Sequence, residues 1–117
     1  MLKDSKLIKF IKVVSNGRES LSLTYSDFLP LESIIDYRTI IIDDKLTTFD
    51  FSDYCRESTK RIIVNINTNR NSTFEQTKKI LELLRLQFNK QDIEIEFGSK
   101  TNLNENETTV DIVLYKD

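Results

Sequence analysis

Histidine is absent from this chain of 117 residues, so the commonest general base and zinc ligand is missing. There are only two glycines, Gly17 and Gly98, too few for a glycine-rich loop of backbone amides that cradles phosphate. A single cysteine, Cys55, rules out an internal disulfide and has no histidine to activate it as a nucleophile. Apolar runs reach only about four residues, against the roughly 20 that a membrane-spanning helix needs. The N-terminal stretch MLKDSKLIKFIKVV has lysines inside its apolar residues, which breaks the core a signal peptide requires. These shortages favour a cytoplasmic setting and give no sign of a metal or cofactor.

What is present suits one small globular domain spanning 1–117. Charged residues make up 31% and apolar residues 38%, and the net charge is -2. That balance favours neither nucleic acid nor an anionic membrane. The charge is unevenly spread, with five basic groups and one acid over 3–18 but seven acids and two lysines over 92–117. Such polarity suits contacts between ends or with a protein partner.

Leu7, Phe10, Ile11 and Val14 recur at helical spacing and predict an amphipathic helix within 1–17, stopped by Asn16-Gly17. Lys3, Lys6, Lys9 and Lys12 accompany that stripe as a solvated face. In LSLTYSDF, residues 21–28, Leu21, Leu23 and Tyr25 alternate as in an extended segment. SDFLPLESIID then reads as a helix capped by Ser26 or Asp27, with Pro30 in its first turn and Leu31, Ile34 and Ile35 on its apolar face. RTIIID reads as a short buried strand, and a short helix is expected over about 50–57. RIIVNIN has Ile62, Val64 and Ile66 on one face and Ile63 on the other, and reads as a central strand.

Ser72 followed by Glu75 has the spacing of a capping box, opening a long helix with Phe74, Leu81, Leu84 and Phe88 on its stripe. DIEIEFG and TTVDIVLYK alternate as two further strands, expected to form an antiparallel hairpin. The strand–helix–strand unit over 61–98 predicts a parallel crossover. The expected fold class is therefore α+β, a mixed four-stranded sheet with helices packed on one face.

The chain from Arg61 onward resembles the C-terminal domain of FtsZ, the tubulin-like cell-division GTPase. IIVNI (62–66) is similar to that family's ILVNI-type strand, and STFE (72–75) to its TLFE-like helix start. IEFGS (95–99), an Asn/Glu-rich loop and VDIVLY (110–115) follow in the family's order. The N-terminal half fits more loosely, with a piece of central helix leading to LSLTYSDF. The resemblance implies the FtsZ C-terminal topology, which a Bacillus-type chorismate mutase shares.

In FtsZ, one subunit binds GTP on a glycine-rich loop and the next inserts an NxDxxD loop that polarises water. Laid on that loop, Ser22 falls at the Asn, Thr24 at the first Asp and Asp27 at the second. The resemblance therefore implies an interaction surface of Ser22, Thr24, Tyr25 and Asp27. Asp27 either orients water there or caps a helix, and Thr24 cannot act as a carboxylate base.

The functional expectation is a non-catalytic protein-interaction domain that modulates cell-division filament assembly, with a filament subunit or a second copy as partner. The alternatives are a small oligomeric enzyme of chorismate-mutase type, drawing on Arg38, Arg56, Arg61 and Arg70, or a part of a longer FtsZ-like GTPase. Asp43, Asp44, Asp50 and Asp53 lack the glycine and terminal Glu of an EF-hand and read as a solvated acidic loop.

Overall fold

The computed structural model describes residues 5–15, 23–43, 45, 49–88, 93–101 and 106–116. Helix α1 (Ser5–Ser15) leads through two 3-10 turns, Tyr25–Phe28 and Leu31–Ser33, into strand β1 (Ile34–Ile42). Then follow α2 (Asp53–Ser58), β2 (Arg61–Thr68), α3 (Phe74–Gln87), β3 (Glu94–Thr101) and β4 (Thr108–Tyr115). The expected Asn16-Gly17 stop lies outside the described residues.

The four strands form one mixed sheet in the order β1-β4-β2-β3. The β2–β3 pair is parallel, as the crossover reading expects, and β4 runs antiparallel to both β1 and β2. The expected β3–β4 hairpin is not formed, because β4 inserts between β1 and β2. Burial explains why. β4 buries Val110, Ile112 and Leu114 on one face and Val113 and Tyr115 on the other, which only a central strand can do. β3 carries Glu94 and Glu96 and sits at an edge, where charge also discourages pairing with another chain.

The face bearing Ile62, Val64, Ile66, Val110, Ile112 and Leu114 packs under Ile80, Leu83 and Leu84 of α3, Cys55 of α2, and Phe49, Phe51 and Phe88. The one-sided helix layer therefore holds for α2 and α3. α1 takes the opposite face, where its Leu7 and Ile11 meet Ile63, Val113 and Tyr115. No helix among the described residues is long and apolar enough to cross a membrane.

Three local expectations are corrected. RTIIID is not a short buried strand but the end of the nine-residue β1, an edge strand on which Thr39 and Ile41 are exposed. SDFLPLESIID is not a helix: Leu29 and Ile34 are extended, and Ile34 and Ile35 open β1. Pro30 has no N–H to give a helix and drives Leu29 out of the helical region, while Ile34, Ile35 and Tyr37 favour a pleated strand. The box that opens α3 pairs Thr73 with Gln76, not Ser72 with Glu75. Thr73 Oγ1 accepts from the Gln76 amide at 3.3 Å and Gln76 Oε1 from the Thr73 amide at 2.9 Å. Shifting the cap by one residue turns Phe74 out to 78% exposure, off the buried stripe.

Candidate interaction site

Two buried side chains, Leu23 and Phe28, pin the ends of the loop that follows α1. Between them the chain turns once, over Tyr25–Phe28. Asp27 closes the turn on itself: its Oδ2 accepts from the Thr24 amide at 2.7 Å and from the Thr24 hydroxyl at 3.1 Å. The Asp27 amide donates to the Thr24 carbonyl at 3.0 Å, and the Thr24 and Ser26 hydroxyls are 2.9 Å apart. Asp27 is thus a capping residue, but it caps backward onto Thr24 and does not start a following helix.

The structure therefore joins Thr24 and Asp27 directly and leaves Tyr25 half-exposed, at 51%. Ser22 lies outside the described residues. Leu29, at 44% exposure, is a second large apolar side chain on the same loop.

The sheet holds this loop from beneath. Arg61, the first residue of β2, donates to the carbonyls of Asp27 (2.9 Å) and Leu29 (2.8 Å). Its guanidinium lies 3.9 Å from the centre of the Tyr115 ring and 3.3 Å from a Glu96 carboxylate oxygen. Tyr115 donates its hydroxyl to the Phe28 carbonyl at 2.7 Å. Burial pushes the Tyr115 phenol well above the usual tyrosine range, with the Arg61 charge acting the other way. Phe10 of α1 packs edge-on against Phe28 and stacks on Tyr37 at 5.1 Å, tying the helix to the same corner.

A second constellation lies on the same face of the sheet. Asp111 is almost fully buried, and no cation pairs with it among the described residues. Four neutral donors reach it: Thr39 Oγ1 at 2.7 Å, Asn67 Nδ2 at 2.7 Å, Tyr37 hydroxyl at 3.2 Å and Asn65 Nδ2 at 3.4 Å. Asn65 Oδ1 is buried without a partner among the described residues. Because donors from β1 and β2 fill the carboxylate, this group fixes strand register and is not free for chemistry.

Sequence reading missed both groups. A signal for the second was present. Asn65 and Asn67 break an apolar strand and Asp111 breaks another, all at the period-two positions shared with Ile63 and Val113. Nothing local marks Arg61, since its hydrogen-bond partners lie 32 to 35 residues away in sequence.

The four arginines considered together do not converge. Arg38 sits on the α3 side, over the Phe51 ring and paired with Asp36 at 3.1 Å. Arg56 pairs with Asp53 within α2. Arg61 is committed on the α1 side, and Arg70 stands exposed beyond β2.

No protein-family model and no curated protein matches this chain by sequence. Among solved structures, it overlays TubZ from Bacillus thuringiensis serovar israelensis, solved as a GTPγS-form protofilament, with a TM-score of 0.69 at 16% identity. The overlap covers 96% of this chain and 33% of the TubZ chain. An empty FtsZ dimer from M. jannaschii gives 0.40 at 14% identity, covering 50% of this chain and 17% of that one. The E. coli hydrogenase maturation protein HypE gives 0.42 at 13% identity, covering 93% and 42%. The last two overlaps are too loose to carry an argument. The chain spans about a third of TubZ, and at that identity the likeness is one of fold: a mixed four-stranded α+β sheet like that within a tubulin-like protein.

Proposed function

We propose that this chain is a non-catalytic protein-interaction domain, equivalent to the C-terminal part of a tubulin-like filament subunit. It acts in the cytoplasm on the assembly of a cell-division filament. The observation that carries this reading is the state of the 24–29 loop. Its carboxylate is closed onto Thr24, its backbone is held by the sheet, and it offers Tyr25 and Leu29 to the surface. The fold overlap with TubZ and the shortage of glycine support the same reading. Binding through such a loop needs no chemistry of its own. The alternative of a chorismate-type enzyme gains nothing from the arginines, two of which lie on opposite faces of the sheet.

The test is to add the purified protein to a polymerising tubulin-like GTPase from the same cell. Co-sedimentation with the filament, and a change in light scattering or GTP turnover that Tyr25→Ala abolishes, is the expected result. No co-sedimentation and no change in either signal would sink the proposal. Self-association is the second reading, favoured by TubZ having been solved as a protofilament. It predicts that the protein alone sediments as a concentration-dependent oligomer.

A further inference from the structure

Three consecutive backbone carbonyls, those of Asp27, Phe28 and Leu29, are each taken by a side chain rising from the sheet. Only two residues do this. Arg61 and Tyr115 face each other across the β2–β4 ladder, and the guanidinium lies on the phenol ring, so they act as one clamp. Glu96, on the adjoining β3, supplies the countercharge. The Arg61 side chain is only 13% exposed, so its positive charge is turned inward. The charged side chains from Leu23 through Ser33 are Asp27 and Glu32, both acidic. The outward face of the loop therefore combines two apolar side chains, Tyr25 and Leu29, with negative charge.

We propose that Arg61 is the positioning residue that presets this loop as a rigid docking element. Its partner is a protein surface with an apolar recess for Tyr25 and Leu29, rimmed by Lys or Arg that face Asp27 and Glu32. The inference rests on the interaction reading above and names the chemistry of its partner. A loop already held in its bound shape loses little conformational freedom on docking, which raises affinity without adding a contact. The fork of Arg61 matters for this. A guanidinium serves two carbonyls at fixed spacing while keeping its face on an aromatic ring, whereas a lysine ammonium is a single point charge on a flexible stem.

The experiment compares wild type with Arg61→Lys, Tyr115→Phe and Tyr25→Ala. Amide hydrogen exchange is read over residues 25–29 and at Val64 and Ile112, and co-sedimentation uses the tubulin-like GTPase as probe. Arg61→Lys keeps the charge beside Glu96 but should speed loop exchange by about tenfold or more, leaving Val64 and Ile112 unchanged. Tyr115→Phe keeps the buried ring and frees only the Phe28 carbonyl, so it should speed loop exchange by less. Tyr25→Ala should abolish co-sedimentation with loop exchange unchanged, and Arg61→Lys should weaken it by about tenfold. Raising the salt should weaken wild-type binding, and Glu32→Gln should reduce that salt dependence.

Unchanged loop exchange in both clamp variants overturns the positioning role. So does faster exchange at Val64 and Ile112 in step with the loop, or tight binding by Arg61→Lys. Salt-independent binding overturns the basic-rimmed partner, as does self-association through Tyr25. Failure of the wild-type protein to co-sediment refutes the interaction reading instead, because the exchange comparison needs no partner and decides the clamp by itself.

Discussion

Replacing Asp111 by asparagine removes one charge and one acceptor atom while keeping the shape of the side chain. In the native protein each carboxylate oxygen serves two donors. Oδ1 takes Thr39 at 2.7 Å and Tyr37 at 3.2 Å, and Oδ2 takes Asn67 at 2.7 Å and Asn65 at 3.4 Å. The new amide can take the Oδ1 side, where the Thr39 and Tyr37 hydroxyls can accept from it, and leave the remaining oxygen to Asn67 and Asn65. The bonds are then kept, but hydrogen bonds to a charged group contribute roughly 1.5–3 kcal/mol each against roughly 0.5–1.5 kcal/mol for neutral ones, so the two short bonds weaken by about 1 kcal/mol each. The net expectation is a loss of about 2 kcal/mol for Asp111→Asn, and about 3 kcal/mol for Asp111→Ala, which keeps none of these bonds. Because Thr39 is exposed and Asn67 half-buried, both can turn to water, which keeps the alanine loss from growing further. Urea unfolding followed by circular dichroism should show the midpoint falling with an unchanged slope. A loss below about 0.5 kcal/mol for asparagine, or an alanine variant more stable than the asparagine one, would refute the role given to this group.

Tyr115 should make the protein sensitive to alkali. Its folded phenol titrates above the ~10 of an unfolded chain, so its stabilising contribution is complete below pH ~10 and is lost, by up to about 1.4 kcal/mol per pH unit, as pH rises further. Tyr115→Phe should flatten that part of a urea-midpoint profile. Leu84→Ala, which empties a fully buried position between α3 and the sheet, should cost about 3 kcal/mol in the same unfolding assay. Phe74→Ser should change stability by no more than about 0.5 kcal/mol, because the ring is exposed; a larger loss would restore Phe74 to the core stripe.

The fold was legible wherever a local pattern and its burial agree. The alternation in RIIVNIN placed Ile62, Val64 and Ile66 on one face and Ile63 on the other, as found. The parallel crossover followed from strand–helix–strand order. The hairpin expectation fails because β4 is apolar on both faces and β3 is not, which identifies the central and edge strands. The helix reading of 26–36 failed because Leu31, Ile34 and Ile35 match a helical period as well as they open a strand, and Pro30 decides between them.

Of the four residues that the resemblance marks, Ser22 lies outside the described residues, Thr24 and Asp27 close the turn, and Tyr25 stands out from it. What a one-dimensional reading could not supply is where a carboxylate spends its acceptors. Orienting a water would need a free carboxylate oxygen on Asp27, and the short bond to the Thr24 amide commits its Oδ2 within the turn. The Thr24 amide and hydroxyl are the donors that hold Asp27, so a carboxylate in place of Thr24 would set two negative groups against each other across the turn. Arg61 and Tyr115 hold the loop's shape and its carboxylate is paired within the turn, so what the loop turns outward is Tyr25 and Leu29.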